Sequence, residues 1–132
     1  MAICLALAAS PCQADPFDKL LGVDWSHELP LGGTCKSPHR WLLSNDHKQL
    51  VVTLEEPVKS RDQFGDRFTY TVLGESGDSI TMFLDHETWR DDEGSLVHWI
   101  LVLEGSDKYF WVRSDWAKGK RTAPVYRCPL VS

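Results

Sequence analysis

The feature that most restricts this chain is a series of eight short runs rich in Trp, Val, Ile, Tyr, Phe and Thr, separated by polar turn clusters. β-Branched and aromatic residues fit a pleated, half-buried surface, so runs of this kind read as strands. They lie near Val23–Leu31, His39–Ser44, Lys48–Glu55, Arg67–Leu73, Ser79–Glu87, Leu96–Leu103, Lys108–Ser114 and Pro124–Cys128. The breaks at Asn45-Asp46, Gly74–Asp78, Arg90–Gly94 and Glu104–Asp107 are short enough for hairpins, so sequence neighbours are expected to pair antiparallel. Two longer connections, Glu56–Asp66 and Asp115–Ala123, are expected to form flaps at a barrel mouth. Ahead of the strands, Asp15–Gly22 carries an acidic N-cap, Pro at the first helical position and a terminating Gly, the marks of one short helix.

Alternation assigns the faces. Leu50, Val52 and Leu54 share one side of their strand, as do Phe68, Tyr70 and Val72, and Ile80, Met82 and Leu84, while Thr69, Thr71 and Thr81 point the other way. The run Leu96–Leu103 is apolar on both sides, which predicts cover on both faces, by the N-terminal helix or by a partner. Eight meandering strands leave no exposed edge only if they close. The expected fold is therefore all-β: an eight-stranded antiparallel up-and-down barrel with a short N-terminal helix.

The chain has 132 residues and a mass of 15.0 kDa, which suits a single domain. Its net charge of -5 offers nothing to draw a surface to phosphates, so nucleic acid is not expected as a partner. No apolar run approaches the roughly 18 residues that span a bilayer, so no transmembrane segment is expected. Met1–Ala14 resembles the end of a secretory signal peptide, truncated because no Lys or Arg precedes its apolar stretch, with cleavage expected after Ala14 and a single domain over Asp15–Ser132. Rival readings make Cys12 a lipid-anchored residue, against which Pro11 argues, or make the segment a buried strand or helix. Cleavage would remove Cys4 and Cys12 and leave Cys35 and Cys128, a pair suited to one disulfide in a periplasmic or secreted protein. Such a bridge closes a loop of roughly 94 residues, for which chain entropy gives about 4–5 kcal/mol. The alternative is two free buried thiols in a cytosolic protein; the spacing is not that of a zinc site.

Gly22-Val23-Asp24-Trp25 and Ser106-Asp107-Lys108-Tyr109, with Arg127 near the end, give the layout a resemblance to the lipocalins. In that family a Gly-x-Trp motif follows a short helix, an aromatic-bearing acidic turn follows the sixth strand, and a late Arg packs over the Trp. Here each of the first two motifs carries one extra residue. The resemblance implies a lipocalin-like barrel, tight because the mature chain is short, and a binding role. Small periplasmic inhibitors of lysozymes and proteases use similar compact barrels, and the Ser76-Gly77 turn is faintly similar to theirs.

Six tryptophans are many for this length. An indole offers a flat apolar face and one N–H to fix orientation. Trp25, Trp41, Trp99 and Trp111 fall in strands and are the expected wall for a small apolar or aromatic ligand, unless they simply fill the core. Trp89 and Trp116 fall in or beside turns, and with Lys120 and Arg121 they form the candidate contact surface for an envelope protein such as a hydrolase. A third reading is enzymatic. A hairpin turn centred on Asp92 would pair His86 with His98 and Asp85 with Trp99, setting two imidazoles side by side near Glu28 or His27. The acids Asp85, Glu87, Asp91, Asp92 and Glu93 read as a solvated turn or, alternatively, as a carboxylate pair for glycoside hydrolysis. Nucleophile-elbow, phosphate-loop, dinucleotide and zinc-helix motifs are absent, so no cofactor or metal is expected.

Overall fold

The structure, a computed structural model, describes residues 15–60 and 63–129; the expected signal segment Met1–Ala14 lies outside the described residues. Asp15 caps the first helix, α1 (Pro16–Leu20), by accepting the Asp18 N–H at 2.9 Å, and Pro16 opens it. Eight strands follow: β1 (Asp24–Ser26), β2 (His39–Leu43), β3 (Gln49–Ser60), β4 (Gln63–Ser76), β5 (Ser79–Leu84), β6 (Trp99–Glu104), β7 (Lys108–Arg113) and β8 (Val125–Arg127). Each pairs antiparallel with the next, and β8 returns to β1 through Trp25↔Arg127 and Ser26↔Tyr126, closing an up-and-down barrel. No helix among the described residues is long and apolar enough to cross a membrane.

The two ends of the barrel differ. Short turns at 44–48, 77–78 and 105–107 gather at one end, where Gly77 takes the positive φ that a two-residue hairpin needs. Helix α1 plugs this end. Phe17 and Leu20 join the core, the Trp25 indole N–H donates to the Leu20 carbonyl at 2.9 Å, and Lys19 pairs with Asp78 in the β4–β5 turn at 2.9 Å. The long connections 27–38, 85–98 and 114–124 gather at the other end with the tip of the β3–β4 hairpin. A Cys35–Cys128 disulfide, with Cα atoms 5.8 Å apart, ties the β1–β2 connection to the residue just after β8.

The expected inward faces are the buried ones: Leu50, Val52, Phe68, Ile80, Met82 and Leu84 lie in the core, with Leu54, Tyr70 and Val72 packed against it. On β6, Trp99, Leu101 and Leu103 are buried, whereas Ile100 and Val102 are half-buried, so the outer face lacks the full cover expected of it. Glu56–Asp66 is not a flap. Past a bulge between Thr53 and Val58 the ladder resumes through Val58↔Gly65, Lys59↔Phe64 and Ser60↔Gln63. Backbone pairing in a projecting hairpin needs no apolar alternation, and Pro57, which has no N–H to donate, falls in the irregular stretch.

Candidate functional site

The open end leads into a cavity of about 330 Å³ inside the barrel. Its lining is rich in aromatics: Trp41 from β2, Phe68 and Tyr70 from β4, Trp99 from β6, Trp111 from β7 and Trp116 from the β7–β8 connection. The rings fix one another. Tyr70 stacks on Trp111 at 5.7 Å and 22°, Trp41 meets both at 5.5 and 5.9 Å, and Trp99 meets Trp111 and Trp116 edge to face at 6.1 and 5.9 Å. Offset and edge-on aromatic pairs of this kind each add about 0.5–1.5 kcal/mol beyond area burial, which holds the wall in place. Polar groups are interspersed with them: His27, His39, Lys59, Ser60 and Thr122.

A hydrogen-bonded trio belongs to the lining. The Trp41 indole N–H donates to the Tyr109 hydroxyl oxygen at 3.3 Å, and that hydroxyl lies 2.5 Å from His39 Nε2. Indole N–H only donates, so the acceptor for the tyrosine proton is His39 Nε2, and the imidazole carries its own proton on Nδ1. Nδ1 is buried and has no hydrogen-bond partner. Burial pushes His39 down to about 4, His27 pushes the same way through its ring 5.1 Å off, and Asp24 opposes them. Desolvation also lowers His27 and raises Tyr109 above the ordinary tyrosine value. At neutral pH the trio is therefore uncharged.

Of the four strand tryptophans expected to hold a ligand, Trp41, Trp99 and Trp111 line the cavity together. Trp25 does not: it is fully buried towards the helix end, edge-on to Tyr109 at 5.0 Å, with its N–H spent on Leu20. Of the four residues expected to contact a protein, Trp89 and Trp116 both stand beside Arg113 with Lys120 over Trp116, whereas Arg121 is engaged elsewhere. Trp116 lines the cavity, with the Lys120 ammonium 5.0 Å above its ring. Trp89 is 41% exposed under the Arg113 guanidinium at 5.0 Å. Arg121 turns to Phe110 at 4.4 Å and Glu104 at 3.4 Å. Sequence reasoning passed over Arg113, which stands 5.0–6.0 Å from Trp89, Trp99 and Trp116 and is held by Asp115 through bonds of 2.5 and 2.7 Å. The ion pair raises the guanidinium and lowers the carboxyl. Inward parity with Tyr109 and Trp111 on β7 was the signal for it.

The His86–His98 pairing does not form. The β5–β6 ladder ends at Met82↔Trp99, and a separate bridge joins Arg90 to Leu96. Between these points β5's side carries residues 83–89 and β6's side only 97–98, so the surplus peels away from the sheet, with His86 in the left-handed region at φ 66°. The acids nearby have structural partners: Asp85 accepts from the Thr71 hydroxyl at 2.7 Å, and Asp91 Oδ1 accepts the N–H groups of Glu93 and Ser95, each at 2.9 Å. No cluster of three or more metal-ligating side chains occurs among the described residues. No protein-family model, curated protein or solved structure matches this chain.

Proposed function

We propose that this protein is a non-catalytic binding protein that holds a small, flat, largely apolar molecule in the open end of its barrel. The observation that carries this reading is the cavity of about 330 Å³ walled by Trp41, Tyr70, Trp99 and Trp111. A preformed concave site with mutually braced rings loses little entropy on binding. The lipocalin resemblance supports the same role, since α1 closes one end and the β1–β8 ladder sets Arg127 directly across from Trp25. The Cys35–Cys128 disulfide supports export to an oxidising periplasmic or extracellular compartment. Titration with the uncharged dye N-phenyl-1-naphthylamine, followed by its fluorescence, tests the reading. The wild type is expected to bind one dye per chain. Trp111→Leu is expected to weaken binding about tenfold, one aromatic contact being worth up to about 1.5 kcal/mol, and Val52→Trp, which fills the cavity, to abolish it. A wild type that takes up no dye, or dye binding indifferent to both changes, would overturn the proposal.

A second reading, recognition of an envelope protein such as a hydrolase by the open-end loops, is favoured by exposed apolar tips. Leu29 is 60% exposed, Leu31 75% and Phe64 76%. On that reading Leu31→Ser with Phe64→Ser abolishes capture of the partner while dye uptake persists.

A further inference from the structure

The cavity wall is electrically one-sided. The chain carries 19 acidic side chains against 14 basic ones, yet no carboxylate lines the cavity among the described residues. Among the described residues the wall's one formal cation at neutral pH is Lys59, since burial keeps His27 and His39 below the ordinary imidazole range. Lys59 sits on β3 opposite Phe64, at the projecting hairpin, and its ammonium has no ion-pair partner among the described residues. Among the described residues, Arg113 is committed to Asp115, Arg121 to Glu104, and Lys120 to the face of Trp116. The wall also offers unspent donors, because the indole N–H groups of Trp111 and Trp116 meet no acceptor among the described residues. Tryptophan faces attract cations as well as flat apolar bodies. At this mouth, however, Arg113 and Lys120 already stand 5.0 Å from the rings of Trp89 and Trp116.

Resting on the binding reading above, we infer that the molecule held in the barrel is an anion: an aromatic or apolar body bearing one oxyanion group, seated with that group at Lys59. The body replaces water against the rings, while the charged end stays at the rim, where it keeps part of its hydration and avoids the large cost of burying an ion. Attraction at an exposed ammonium is screened, so Lys59 acts chiefly on selectivity, by about threefold to fivefold.

Two dyes that differ by one sulfonate test this: 1-anilinonaphthalene-8-sulfonate and its uncharged parent N-phenyl-1-naphthylamine. Both are titrated into wild type and Lys59→Met, which keeps the aliphatic stem and removes the charge. The expected result is that Lys59→Met weakens the sulfonate about threefold to fivefold and leaves the parent dye unchanged. In 1 M salt, where charges are screened beyond about 3 Å, the wild type should show the same loss. Binding of both dyes with an unaltered affinity ratio in Lys59→Met would overturn the inference and leave the binding reading standing. If neither dye binds wild type, the binding reading falls and the inference with it.

Discussion

At the residue scale the most constrained group is His39, buried between a hydroxyl donor and a second imidazole. Its folded-state pKa of about 4 lies below the ordinary imidazole value of 6.5, so between these values the unfolded chain binds the extra proton. Stability from the neutral imidazole is therefore fully present above pH 6.5 and is lost as pH falls towards 4. A difference of this size is worth on the order of 3 kcal/mol. Urea unfolding at pH 7.5 and pH 4.5 should show the wild type losing about 2–3 kcal/mol over that interval. His39→Gln should lose clearly less, because carboxylates titrate alike in both proteins. Equal slopes would show that His39 does not set the acid sensitivity. The tyrosine that accepts from Trp41 and donates to His39 is legible in the sequence only as the aromatic of the Ser106–Tyr109 turn, not as a member of this trio. Its partners lie 68 and 70 residues away, and no local spacing signals a bond that only barrel closure makes.

At the element scale, eight strands and one helix were legible because each strand is a β-branched and aromatic run between turn clusters and the helix carries its cap. Phe68, Tyr70 and Val72 on β4 and Ile80, Met82 and Leu84 on β5 turn inward as their pattern requires. Misreadings occur where backbone pairing runs ahead of side-chain pattern. The polar stretch around Glu56 pairs as a hairpin, and the turn around Asp92 is a small local hairpin whose register does not extend to β5 and β6. Hydrophobic pattern specifies register only while a face is buried, and residues 90–95 bury almost nothing but part of Asp91. Cys35 lies outside every strand, so its connection depends on the bond to Cys128 across a separation of 93 residues. The double variant Cys35→Ser/Cys128→Ser is expected to lose about 4 kcal/mol of unfolding free energy by chain entropy. Denaturant titration against the oxidised wild type checks this, and a loss below about 1 kcal/mol would mean the β1–β2 connection is held by other contacts.

At the scale of the whole molecule, closure turns unremarkable residues into a site. Among the described residues the cavity draws on five of the eight strands and two connections, so no segment of sequence contains it. The sequence places Trp41, Trp99 and Trp111 in strands, as a ligand wall or as core filling; it carries no information on whether eight inward faces meet or leave a space. Trp25 has the same parity as the cavity tryptophans and a different fate, because α1 packs under it. The asymmetry of the ends follows from the loops: short turns and a plugging helix seal one end, and long connections leave the other open. The most direct test of a hollow, ligand-holding barrel is a crystal structure of the protein grown with N-phenyl-1-naphthylamine. The account predicts density for the dye inside the open end, against Trp41, Tyr70 and Trp111, with those rings essentially unmoved. A barrel whose side chains fill that space, with the dye absent or bound only on the outer surface, would contradict it.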